Sequence, residues 1–156
     1  MMPRWTLAAG AMALTSSAAF TQPNLAPYCP DLQSVVRLAA SPEKFSSITG
    51  DIREGSFRET TMPLAGWKDC TVYGEKTYAC NSEDIEAAEA AQERLADVVR
   101  QVKACFGDGW WTEDSLRSSP LYVVLHHPID LATMTISTDE ERKNAHVLRL
   151  IMFLRN

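Results

Sequence analysis

Apolar and polar residues along this chain recur with two different periods, and the points where the period changes mark its elements. In "CPDLQSVVRLAA", Leu32, Val35, Val36, Ala39 and Ala40 recur at three and four residues, which places them on one face of a helix. Pro30 and Asp31 suit its first turn, where a missing donor costs nothing and the helix dipole favours an acid, and Pro42 ends it. A second, longer stripe comprises Ile85, Ala88, Gln92, Leu95, Val98, Val99, Val102, Cys105 and Phe106, opposite Glu89, Glu93, Asp97, Arg100 and Lys103. It predicts an amphipathic helix of about 23 residues, started by Asn81 or Ser82, with Glu83, Asp84 and Glu86 in its first turn, and closed by Gly107.

Between these helices the period shortens. "FSSITGDI" and "FRETTMPL" read as short strands around turns at Gly50 and Gly55. "DCTVY" and "KTYAC", separated by Gly74 and Glu75, read as a β-hairpin. After the long helix, "LYVVLHH" and "ATMTIST" are strand-like, "DEERKN" reads as a turn, and "HVLRLIMFLRN" is apolar enough to predict a central strand buried on both sides. The expected class is α+β: an antiparallel sheet of about five to six strands packed by one long and one short helix, occupying residues 29–156 after an extended lead-in at 20–28. This element order resembles the small α+β fold of type III secretion chaperones. The resemblance rests on element order alone, with no residue motif, and therefore implies a fold and no activity.

Composition narrows the class. The 156 residues are 46% apolar and 22% charged, which suits an ordinary globular chain. A formal charge of -5 without a Lys/Arg cluster argues against nucleic-acid binding. "MMPRWTLAAGAMALTSSAAF" has one Arg, an uncharged apolar run and then small residues, the order of a signal peptide, with cleavage expected near Ala19. Loss of Arg4 from the 15 basic residues leaves 14 against 20 acids. A second apolar run long enough to span a bilayer is absent from the sequence. The expected location is the periplasm or the extracellular space.

Four cysteines in an exported chain of this size favour two disulfides. A helix over residues 82–105 would hold Cys80 roughly 35 Å from Cys105 at 1.5 Å rise per residue, far beyond disulfide reach. Cys70 lies beside Cys80 across the hairpin, so the same distance excludes Cys70 with Cys105. The remaining pairing is Cys70 with Cys80 and Cys29 with Cys105. A strict two-residue turn would set Cys70 opposite Ala79, so the hairpin bridge requires an odd loop or a bulge between Tyr73 and Thr77. The cysteine spacings match neither a zinc site nor a C-x-x-C redox pair, and no metal or cofactor is expected.

Other chemistry is sparse. Trp110 and Trp111, beside Asp108, Glu113 and Asp114, could stack and hydrogen-bond a sugar, or could simply cover the core near the Cys29–Cys105 bridge. His126, His127, Asp130 and His146 could supply an acid–base pair, although adjacent strand residues point to opposite faces. Ser41-Pro42-Glu43-Lys44 matches S-x-x-K, but its companion motifs are missing. The expectation is a small binding domain for a protein, peptide or glycan, acting through the sheet face or the tryptophan loop, with no catalytic residue assigned. The alternatives are a small hydrolase of a wall or extracellular polymer, drawing on the histidines and acids named above, and a secreted inhibitor presenting the locked hairpin.

Overall fold

A computed structural model describes residues 25–107, 109–129 and 131–155. The expected signal peptide at 1–19, the start of the lead-in, Asp108 and Asp130 lie outside the described residues. The elements run α1 (Cys29–Ala39), β1 (Thr49–Glu54), β2 (Phe57–Thr60), β3 (Lys68–Tyr73), β4 (Thr77–Asn81), α2 (Ala88–Phe106), β5 (Thr112–Glu113), β6 (Tyr122–His126), β7 (Ala132–Arg142) and β8 (Ala145–Leu154). The strands form one antiparallel sheet in the order β1-β2-β3-β4-β8-β7-β6-β5. Among the described residues the α+β class with an antiparallel sheet, two α-helices and two disulfides is therefore observed, with eight strands in place of the expected five or six. The excess comes partly from β5, whose two residues are too few to show a period.

Both helices lie on one face of the sheet. From α1, Leu32, Val35, Val36 and Ala39 are buried, while Ala40 is exposed just past the helix end. The α2 stripe is Ala91, Leu95, Val98, Val99, Val102 and Cys105. Beneath them lie Val72, Tyr78, Cys80, Leu125, Met134, Ile136, Leu148, Leu150 and Met152. Tyr78 is fully buried, and its hydroxyl donates to the Met62 carbonyl at 2.7 Å, so burial leaves no polar group stranded and pushes the phenol pKa upward.

The long helix begins at Ala88, six or seven residues later than the Asn81 or Ser82 cap expected from sequence. Residues 82–85 instead continue alongside β8. The Ser82 amide donates to Leu148 O at 2.8 Å, and Ile85 and His146 exchange backbone bonds of 2.7 and 2.9 Å. Ser82 Oγ accepts the Leu148 amide and Asn81 Oδ1 accepts from Arg149, so both capping side chains serve the sheet. Glu83 and Asp84 meet Lys68, and Asp84 also meets Arg142, rather than a helix N-terminus. Ala88 and Gln92 are consequently exposed, and Ala91 occupies the stripe position given to Gln92.

Other boundaries moved for similar reasons. Ser46–Ile48 is a 3-10 turn rather than strand, and Gly50 sits inside β1 with its Cα hydrogens facing the Glu59 carbonyl. The "DEERKN" segment is mostly strand: β7 runs to Arg142, and the turn is confined to Lys143 and Asn144.

The hairpin shows how the bridge closes. Gly74 and Glu75 both have positive φ (56° and 59°), the pattern of a primed turn, and Lys76 adds a third loop residue. Tyr73 therefore faces Thr77 and Thr71 faces Ala79, bringing Cys70 level with Cys80. Their Cα atoms are 4.1 Å apart in the Cys70–Cys80 bridge. A register shift between Lys68 and Thr71, with Asp69 at φ 50°, follows immediately. Cys29–Cys105 ties the start of α1 to the end of α2, with Cα atoms 5.2 Å apart. Gln33 Nε2 donates to the Cys105 carbonyl, one of the groups left unpaired at a helix C-terminus.

Candidate functional site: the open face of the sheet

Strand residues of one parity face the helices, so the other parity forms a second surface with no helix on it among the described residues. Register defines its rows. One runs Phe57, Tyr73, Thr77, Phe153, Thr133, His126 and Thr112, each opposite the next on the neighbouring strand. The next runs Glu59, Thr71, Ala79, Ile151, Thr135 and Val124. A third includes Asn81, Arg149, Ser137 and Tyr122.

This face carries most of the large exposed rings. Phe57 is 51%, Tyr73 47% and Phe153 43% exposed, and Phe57 and Tyr73 touch at a centroid distance of 5.2 Å. A shallow depression of about 670 Å³ lies over them, lined also by Ile151, Thr71, Ala79 and Arg149. The expectation that β8 is buried on both sides is thus corrected. It sits at the sheet centre between β4 and β7, but Leu148, Leu150 and Met152 are covered while Phe153 is not. Arg149 shares the parity of Ile151 and Phe153, and that one charge in an apolar run was the signal for an uncovered face.

At the β5–β6 end of the first row, Asp114 and His126 come together. His126 Nε2 and Asp114 Oδ2 are 3.0 Å apart. Asp114 Oδ1 accepts the amides of Leu116 and Arg117 at 3.1 and 3.2 Å, which fixes the carboxylate. The His126 bond, with these amides, draws the Asp114 pKa below the usual carboxylate value. On the other ring nitrogen, Nδ1, Thr133 Oγ1 lies at 3.4 Å and an Arg155 Nη2 at 3.5 Å. An imidazole oriented by a carboxylate in this way can accept a proton from a neighbouring hydroxyl.

The remaining candidates diverge. His127 turns to the helix side, 6% exposed, with its ring 5.5 Å from Trp110 and 5.4 Å from Trp111, both edge-on. The Ile129 amide donates to its Nδ1, and burial lowers its pKa. Trp111 is itself buried, with an indole N–H that has no partner among the described residues, so it offers no ring face to a sugar. Trp110 is half-exposed against Phe106. Glu113 points to the helix side, 3.7 Å from Lys103, while Asp114 points to the open face, so the acids of this loop do not converge. His146 lies seven residues along β8 from Phe153, roughly 23 Å at strand rise, and β7 separates β8 from β6. It cannot pair with His126. Ser41 Oγ donates to Leu38 O and accepts the Lys44 amide, closing the turn after α1.

Among the described residues, no group of three or more His, Cys, Asp or Glu is placed to hold a metal ion. No described helix is long and apolar enough to cross a membrane. Two disulfides fit an oxidising compartment. No family model, curated protein or solved structure matches the chain.

Proposed function

We propose that this is an exported cell-envelope protein, periplasmic or secreted, that binds a protein, peptide or glycan through the open face of its sheet. The observation that supports it is the line of Phe57, Tyr73 and Phe153 on a face that no described helix covers. Phe57 and Tyr73 touch and Phe153 shares their row across one depression, and contiguous exposed apolar patches mark interaction sites. Stable β-structure behind them holds the rings in place, so binding costs little ordering entropy. The experiment is affinity capture from envelope extract and secreted polymer with the wild-type chain and with a Phe57→Ser, Tyr73→Ser, Phe153→Ser variant. A ligand retained by the wild type and lost by the variant supports the reading; identical capture by both sinks it.

A second reading, a hydrolase of a wall or extracellular polymer, draws support from the Asp114–His126 geometry beside Thr133. Purified chain incubated with wall polymer should then release soluble fragments at a rate that Asp114→Asn cuts by roughly 100-fold, the scale of an acid–base contribution. Equal release by both forms would discard it.

A further inference from the structure

On the helix side of the sheet, a cleft of about 590 Å³ opens between α2 and the lead-in before α1. Sites for small ligands have volumes of roughly 300–1,000 Å³. Arg94, Val98 and Gln101 line it from α2, and their spacing of four and three residues sets them on one stripe of the helix. Leu148 of β8 lines it as well, as do Tyr28 of the lead-in and Trp67 of the loop before β3, whose ring centroids are 5.9 Å apart.

The charge of this cleft has one sign. Among the described residues its lining holds no carboxylate and one cation, Arg94. Of the three cations on α2, Arg100 bonds Asp97 and Lys103 meets Glu113 at 3.7 Å, whereas Arg94 has no ion-pair partner among the described residues. Acids beside the cleft are engaged elsewhere: Asp31 accepts the Ala65 amide at 3.2 Å, and Glu83 and Asp84 bond Lys68. Tyr28, 5% exposed, donates to Gln101 Oε1 at 3.0 Å and feels the Arg94 charge, yet burial pushes its pKa up to about 12, so it remains a neutral donor. Because the Gln101 carbonyl is taken by Tyr28, its NH₂ group is left as a second donor beside Arg94.

We propose that this cleft binds a carboxylate attached to a compact apolar group, the chemistry shared by a short fatty acid and by the free C-terminus of a peptide with an apolar last residue. The planar guanidinium of Arg94 offers paired donors that match two carboxylate oxygens. Val98, Leu148 and the Trp67 ring receive the apolar group. A cationic ligand would meet Arg94 with no carboxylate in the lining to offset it, and like charges repel. The cleft shares no lining residue with the depression over Phe57, Tyr73 and Phe153, so the two surfaces are separate sites.

The test is isothermal titration calorimetry of the full chain with two matched pairs of probes: octanoate with 1-octanol, and acetyl-Ala-Ala-Leu with its C-terminal amide. The expected result is saturable binding of at least one acid, about tenfold or more tighter than its neutral counterpart and weakening as salt rises. Which acid binds tells a fatty acid from a peptide terminus. Arg94 is exposed, so Arg94→Gln leaves the core intact, and it should weaken the acid by about tenfold to the level of its neutral counterpart. Arg100→Gln, on the same helix but outside the cleft, should leave binding unchanged. Equal affinity for acid and neutral probe, or equal losses from the two arginine substitutions, would overturn the proposal. So would the absence of saturable binding of both acids by chain that unfolds cooperatively.

Discussion

Alternate residues of strand β8 lead different lives. Leu148, Leu150 and Met152 are at most 1% exposed beneath the helices, whereas Phe153, set between Met152 and Leu154, is 43% exposed on the other side. Both sets are apolar, so hydrophobicity alone did not assign them. Between Leu148 and Phe153 burial follows from which face received the helices, and both disulfides lie on that layered side with their four cysteines buried, although Val147 and Val124 of the open parity are buried too, at 1% and 4% exposure. One face carries the buried core of the domain, and the other is the one proposed above to receive a partner.

If that division holds, the largest loss of stability should come from the helix side, on removing Cys29–Cys105. Its ends are 76 residues apart, and chain entropy assigns such a link about 4–5 kcal/mol, against about 3 kcal/mol for Cys70–Cys80 with its separation of 10. Urea unfolding of the two paired Cys→Ser variants should preserve that order. A greater loss from the hairpin bridge would break it.

Next in size is a contrast on β8 itself. Leu150→Ala removes a fully buried side chain from the core and should cost about 2–5 kcal/mol. Phe153→Ser, three residues along and on the other face, should stay within about 1 kcal/mol, as a surface change with only local contacts. Comparable losses would mean that the open face is part of the structural core.

The smallest effect is one of pH. His127 is held neutral between Trp110 and Trp111, with its pKa below the ordinary 6.5. The unfolded chain therefore binds its proton more readily, and the associated stability is present above about pH 6.5 and lost as pH falls below it. Thermal unfolding between pH 7 and pH 5 should show a decline in Tm that is shallower in His127→Gln. A slope unchanged by the substitution would show that His127 is not its source.

Much of the covered face could be read along the chain. The stripe of α1, the lower part of α2 and the strand character of residues 68–81 follow from periodicity, because a single buried face imposes a single period. The hairpin bridge was constrained to an odd loop or a bulge, since side-chain parity forbids it across a two-residue turn, and the three-residue loop Gly74 to Lys76 is the one found. The start of α2 was obscured because Asn81 and Ser82 are good caps in isolation, and only the presence of β8 gives their side chains better partners. Asp114 and His126 were both visible as candidate residues, but their pairing was not. It depends on β5, a two-residue strand, and on the register it takes against β6.

Local sequence thus determined the helices, most strand segments, the polarity of each stripe and the geometric exclusion that leaves one disulfide pairing, all of which depend on short-range periodicity and chain stiffness. Which apolar residues remain exposed was decided by the three-dimensional arrangement. Both helices returned to the same side of an eight-stranded sheet, and Phe57, Tyr73 and Phe153, from three different strands, came to lie in one row on the side they left open. That outcome depends on strand order and layer placement, and contacts between residues so distant in sequence leave no local periodicity to reveal them.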